Sequence, residues 1–148
     1  MVLQGKFKLK APIQKVWDAL LDPQTLLSCV PGVEKLEKEN EKTFSCVVKQ
    51  KVGPISVKFN LKSVLVKADP PKHMEFEGEG KSKVGQFTQK STVDFTENPD
   101  GEVEVSYKAE VNIVGKLATF GDRILRAKAK KVEEEFTKAL REKLEKVV

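Results

Sequence analysis

Along residues 2–10 apolar and polar side chains alternate. Leu3, Phe7 and Leu9 lie on one face and Gln4, Lys6 and Lys8 on the other, the two-residue period of a strand with one wet side. A second strand is expected at 33–39 and a third at 43–52, where Phe44, Cys46, Val48, Gln50 and Val52 share a face. Gly53-Pro54 turns the chain into 55–68, which sets Ile55, Val57, Phe59, Leu61, Ser63 and Leu65 against Ser56, Lys58, Asn60 and Lys62. After the Asp69-Pro70-Pro71-Lys72 turn, Met74, Phe76, Gly78 and Gly80 alternate with Glu75, Glu77, Glu79 and Lys81. A sixth strand at 87–96 presents Phe87, Gln89, Ser91, Val93 and Phe95. Beyond Asn98-Pro99-Asp100-Gly101, a seventh sets Val103, Val105, Tyr107, Ala109, Val111 and Ile113 against Glu104, Ser106, Lys108, Glu110 and Asn112. Short turns between such strands specify an antiparallel meander buried on one face.

Two stretches follow a helical period instead. Between Ala11 and Gly32, Ile13, Val16, Trp17 and Leu20 recur at helical spacing. Asp22 offers a cap and Pro23 suits the first position of a new helix, where its missing N–H is unpaired anyway. Pro31-Gly32 stops that second helix. From Leu117 onward, Phe120, Ile124, Leu125, Val132, Phe136, Ala139, Leu140 and Leu144 form a stripe interrupted only by Lys128. This predicts one helix of about 30 residues, roughly 45 Å long, with Gly121 on its buried side allowing close backbone approach. The expected order is β-α-α-β-β-β-β-β-β-α, an α+β domain over residues 1–148 in which a seven-stranded antiparallel sheet wraps a long C-terminal helix and leaves a hollow.

The chain has 148 residues, 39% of them hydrophobic and 33% charged, a globular composition sized for one domain. Its charge is rich in Lys and Glu, as in heat-adapted proteins. No apolar run is long enough to span a bilayer, and the N-terminus reads as a strand and not as a signal peptide. The expected address is the cytosol. Cys29 and Cys46 form no spaced framework and read as small buried hydrophobes. His73 is the sole histidine, too few for a histidine-based zinc site, and no cofactor is expected. The net charge is +5, and between Lys116 and Lys131 six bases stand against the single acid Asp122. Such a half-helix attracts anionic membrane, phosphate or an acidic protein face, or is a plain solvated face.

The inward faces are not uniformly bulky. Gly78, Gly80, Cys46, Ser63, Ala109, Gln50, Gln89 and Ser91 point the same way as Phe44, Phe59, Phe76 and Tyr107. Small residues opposite a long helix leave room, and a few polar groups in an apolar hollow characterise ligand sites. The expected lining is Trp17, Phe44, Cys46, Val48, Phe59, Leu61, Phe76, Gly78, Gln89, Phe95, Tyr107 and Val111, with Leu117, Phe120 and Ile124 from the helix. In a meander, alternate strand ends share one edge. The turns at 52–54, 81–85 and 114–117 should therefore gather there, forming a rim of Lys51, Gly53, Lys81, Lys83, Gly85 and Lys116 around the mouth.

These residues add up to a known pattern. Val16-Trp17 with Asp22-Pro23, Cys29-Val30-Pro31-Gly32, Lys51-Val52-Gly53-Pro54, Asp69-Pro70-Pro71, Gly78-Glu79-Gly80 and Gly115-Lys116-Leu117-Ala118 with Gly121 resemble the CoxG family of carbon monoxide dehydrogenase subunits. That family belongs to the helix-grip, START-like (SRPBCC) superfamily of lipid-transfer domains and polyketide cyclases. The resemblance covers nearly the whole chain. It implies the helix-grip fold around an apolar cavity and an accessory role beside a molybdenum-containing carbon monoxide dehydrogenase-type enzyme, in membrane recruitment or quinone handling. It supplies no catalytic residues. Some relatives continue into a hydrophobic anchor, whereas here the sequence closes with the helix at Val148, so no anchor is expected.

The expected function is non-enzymatic binding or carriage of a lipophilic small molecule, quinone- or lipid-like. Peripheral contact of the rim with anionic membrane is the expected accompaniment. The rival is a cyclase- or hydrolase-type enzyme acting in the same hollow, which would need a tuned general base there. The inward positions offer Tyr107, Gln50, Gln89, Ser91 and Cys46, with no acid, His or Lys among them. Nucleic-acid binding would need exposed aromatics among the bases, and the basic half-helix has none.

Overall fold

The computed structural model describes residues 1–145. Strand β1 (Val2–Leu9) leads into helices α1 (Ile13–Leu21) and α2 (Pro23–Cys29), and the meander follows as β2 (Val33–Lys38), β3 (Thr43–Val52), β4 (Ile55–Asp69), β5 (His73–Ser82), β6 (Gly85–Glu97) and β7 (Val103–Val114). A 3-10 segment (Lys116–Phe120) and helix α3 (Gly121–Leu144) complete it. Every strand pair is antiparallel. The first strand returns to pair with the last, so the seven-stranded sheet runs β1-β7-β6-β5-β4-β3-β2. This is the expected element order and fold class.

Local chemistry explains the joints. Asp22 caps α2, its Oδ2 accepting from the Thr25 N–H at 3.2 Å and from the Thr25 hydroxyl at 2.8 Å, with Pro23 directly behind it. The Gln50 amide donates to the Pro31 carbonyl at 2.6 Å. Gln50 therefore anchors the stop after α2 and is not a free polar group of the hollow. In β4 the register slips between Leu65 and Lys67, leaving Val66 50% exposed. Such a bulge bends its strand, and a bent fourth strand helps curl the sheet.

The terminal helix departs from expectation. Gly121 has φ +83, a left-handed conformation that a side chain resists, and it divides the 3-10 segment from α3. A Cβ there would meet nothing within 4 Å, so Gly121 serves the backbone turn and no close approach. Its effect is to reset the helical phase. Helix α3 has 24 residues, about 36 Å, and any continuation of the expected helix beyond Glu145 lies outside the described residues.

The core is split in two. One cluster joins Leu9, Val16, Trp17, Met74, Phe95, Val103 and Val105 to Leu140 and Leu144 at the end of α3. The other joins Val52, Val57 and Phe59 to Leu117, with Leu61, Phe87, Ile113, Phe120 and Leu125 against them. Both lie on the concave face, one at each end.

On the convex face, His73 is held between two carboxylates, Asp94 Oδ1 at 2.5 Å from Nδ1 and Glu75 Oε2 at 2.7 Å from Nε2. The hydrogen bond to Glu75, then that to Asp94, raises the imidazole above its ordinary 6.5, with burial opposing. A raised folded value stabilises fully below the unfolded pKa and loses that stabilisation as pH rises through the folded one. His73→Gln is therefore expected to lower the urea midpoint at about pH 5.5, where unperturbed histidine is protonated, and to leave it unchanged at about pH 9. An equal loss at both values would reduce His73 to a packing role.

Candidate functional site

Between the two clusters the sheet presents a row that belongs to neither. It crosses β3 to β7 as Phe44, Ser63, Gly78, Gln89 and Val111. On one side stand Cys46, Leu61, Gly80, Phe87 and Ile113, and on the other Leu65, Phe76, Ser91 and Ala109. Opposite, α3 contributes packed side chains only up to Leu125 and again from Phe136. The apolar clusters thus sit at the two ends of the concave face, with a partly accessible row between them. Cys46, Gly78, Gln89, Tyr107 and Val111 are half-buried although they lie on the concave face. Ser63, Gln89 and Ser91 have no side-chain hydrogen bond within the protein among the described residues, so the hollow has polar groups to offer.

The expected lining divides accordingly. Trp17 and Phe95 pack tilted with centroids 5.4 Å apart inside the lower cluster, with half-buried Phe76 against it. Phe59, Leu61, Leu117 and Phe120 belong to the upper cluster. Phe44 and Val48 are buried on β3. Burial pushes the Cys46 thiol up, which keeps it a poor nucleophile. Ile124 does not line the hollow: it is 40% exposed, and Leu125 takes the packed position. The cause is the phase reset at Gly121, which a continuous stripe counted from Leu117 misses.

The absence of an inward acid is also corrected. Glu133 stands over the concave side of β1, where a Cβ on Gly5 would lie 2.7 Å from Glu133 Oε1 and 2.8 Å from the Tyr107 hydroxyl. Burial, the Glu133 charge and hydrogen bonding to it, in that order, push the Tyr107 phenol up to about 12. The signal was in the spacing: Glu133, Thr137, Leu140 and Leu144 recur at four, three and four, and Thr137, Leu140 and Leu144 are buried. Glu133 also borders a groove of about 460 Å³ between β1 and α3, shared with Lys6, Phe7, Thr137 and Arg141. A second recess, about 630 Å³, lies between Lys10–Pro12 and Asp100–Glu102, away from the hollow.

The three turns do gather at one end. The Leu117 N–H donates to the Val84 carbonyl at 2.7 Å. Gly115 and Gly85 approach so closely that a Cβ on Gly115 would stand 2.8 Å from the Gly85 Cα. A Cβ on Gly53 would meet the Phe120 ring at 3.6 Å. Lys51, Lys81, Lys83 and Lys116 are all exposed around them. Lys81 pairs with Glu79 at 3.9 Å, an exposed contact worth little. Among the described residues no group of three or more His, Cys, Asp or Glu side chains could hold a metal ion, and no helix is long and apolar enough to cross a membrane.

Known structures share this architecture. A conserved protein from Geobacillus kaustophilus superposes with TM-score 0.91 at 24% identity, covering 97% of this chain and 95% of its own. A START superfamily protein from Mycobacterium smegmatis gives 0.72 at 10% identity, covering 97% of each chain. Zhui aromatase/cyclase from Streptomyces sp. R1128 gives 0.68 at 13%, covering 98% of this chain and 93% of its own. At these identities the likeness is one of fold. Among curated protein sequences none matches the chain. The family model of the carbon monoxide dehydrogenase CoxG subunits matches residues 5–145, and the chain belongs to that family.

Proposed function

We propose that the protein binds and carries a lipophilic small molecule, quinone- or lipid-like, in the hollow between sheet and α3. The observation that carries this reading is the concave face, with apolar clusters packed at both ends and a row between them in which Gly78, Gln89 and Val111 stay half-buried. A closed core would leave no such row half-buried, because interiors pack to crystal-like density. The family's description names carbon monoxide dehydrogenase, and in this reading the partner is a molybdenum-containing enzyme of that type, which the carrier serves in maturation, membrane recruitment or electron-acceptor delivery. Titration of the purified protein with a neutral hydrophobic fluorescent probe tests the binding. Saturable one-to-one binding is expected, and its absence overturns the reading.

One observation favours the rival, a cyclase- or hydrolase-type enzyme: Glu133 supplies a carboxylate beside Tyr107 at the hollow. The phenol, pushed up to about 12, is no base near neutral pH, and the carrier reading needs no such step.

The rim serves transient docking to anionic membrane at the cytosolic face. Lys51, Lys83 and Lys116 are in no ion pair among the described residues, and Val114 and Ile124 stand exposed nearby. Each lysine near such a surface contributes about 1 kcal/mol, screened over about 8 Å at physiological ionic strength. The native protein is expected to co-sediment with anionic liposomes at low salt and to be released at high salt. A variant with Glu at Lys81, Lys83 and Lys116 should stay in the supernatant. Equal sedimentation of the two, or of neither, would discard membrane docking by this rim.

A further inference from the structure

Gly5 sits in the middle of an edge strand, a position that costs strand stability unless something approaches closely. What approaches is the Glu133 carboxylate together with the Tyr107 hydroxyl, both within 2.8 Å of where a side chain would begin. Odd-numbered β1 residues face the concave side, since Leu3, Phe7 and Leu9 are the less exposed ones. The pair therefore stands over the inner face, in the register row of Val93 and Met74 and next to the row of Ser91 and Ala109. No ion pair among the described residues includes Glu133. A half-buried carboxylate thus stands beside a phenol with no cation within 4 Å among the described residues, Lys6 and Arg141 lying further along the same groove.

The surrounding groups extend the pattern. A carboxylate has roughly four lone-pair sites with which to accept, and the Tyr107 hydroxyl stands close to this one. One helical turn further along α3, Thr137 is only 6% exposed and its hydroxyl has no hydrogen-bond partner among the described residues. Ser91 lies one position along the sheet from Tyr107, opposite Ala109, and is likewise unpaired. A ligand ending in a hydroxyl finds acceptors here. A ligand ending in a carboxylate meets a like charge in a partly desolvated place, and like charges so placed disfavour each other strongly.

We propose that Glu133, positioned over Gly5 beside Tyr107, makes the hollow selective for uncharged lipophiles bearing a hydroxyl and rejects fatty-acid-like anions. The proposal rests on the hollow being the ligand site. Specificity arises here from a repulsive element as much as from an attractive one. Lys128, half-buried on α3, lies five residues from Glu133 and so points well away from it around the helix.

The test displaces a neutral fluorescent probe with 1-dodecanol or dodecanoate at about pH 8, where an ordinary carboxyl is ionised, using the native protein and Glu133→Gln. A carboxylate is costlier to desolvate than an alcohol in any apolar site, so the readout is the change in the alcohol-to-carboxylate affinity ratio. Glu133→Gln keeps size and hydrogen bonding, and is expected to shrink that ratio about tenfold by admitting dodecanoate, a change of about 1.4 kcal/mol. Tyr107→Phe leaves the charge in place and should keep the native rejection of dodecanoate. An unchanged ratio in Glu133→Gln overturns the selectivity proposal and leaves the hollow intact. A probe that fails to bind the native protein overturns the hollow itself. Should Glu133→Gln bind no probe, Glu133→Ala replaces it, and an unchanged ratio there is equally decisive against the proposal.

Discussion

Gly78→Leu is expected to weaken binding of a hydrophobic probe at least about tenfold while the protein stays folded. Gly78 is the centre of the open row, between Ser63 and Gln89. A Cβ there would stand 3.0 Å from the Lys62 carbonyl and 3.2 Å from Gln89 Nε2, so the new side chain must displace Gln89 and extend into the hollow. Overpacking of this kind costs about 1–3 kcal/mol, against a usual stability of about 5–15 kcal/mol for a domain. Gly80 is the wrong place for this experiment, since a Cβ there would collide with the Phe87 ring and lie 2.7 Å from Leu61, and a folding defect would obscure the result. Ser91→Leu gives a second arm, because Ser91 already carries a Cβ and adds bulk to the same space without the Lys62 contact. Probe titration with circular dichroism on both variants decides. Native affinity in both, with the fold retained, would mean that the ligand sits elsewhere.

Strand periodicity was legible because one face of the meander is wet along its whole length, so every strand carries the alternation and every turn its Gly, Pro, Asn or Asp. Asp22-Pro23 was equally legible, since a cap followed by Pro depends on neighbours within three residues. The terminal helix was less so. Leu117 and Phe120 belong to a 3-10 segment packed in the upper cluster, and the stripe that begins at Leu125 has a different phase. The link between them is a left-handed Gly121, and hydrophobic spacing contains no record of φ. The same blindness displaced Ile124 to the inside and Glu133 to the outside. Gln50 was misread for another reason: its partner is the Pro31 carbonyl, 19 residues away, and a pairing at that distance is set by tertiary structure. The gathering of the three turns, by contrast, followed from strand direction alone.

Leu140→Ala is expected to be the most damaging truncation on α3, costing about 2–5 kcal/mol, and Val132→Ala to cost about 1 kcal/mol or less. Leu140 has no exposed surface and joins the lower cluster with Trp17, Met74 and Phe95. Val132 is half-buried, two turns nearer the N-terminus, and belongs to neither cluster. Removing Leu140 leaves a cavity bounded on all sides, whereas Val132 already borders unfilled space, so its loss removes fewer contacts. A penalty of a few kcal/mol is a large fraction of what a domain of this size has to lose. The urea midpoint of each variant measures the difference, with an unchanged m-value to show that the denatured state is the same. The contrast has a functional meaning. The helix joins the apolar clusters at Leu140 and Leu144 and again at Leu125, and in the carrier reading its middle spans the hollow. That division lets the ends supply stability while the middle stays available to a ligand, whose binding would add stability by mass action. Equal penalties for the two truncations would mean that the middle is packed as tightly as the end, and the hollow would then have no room to offer.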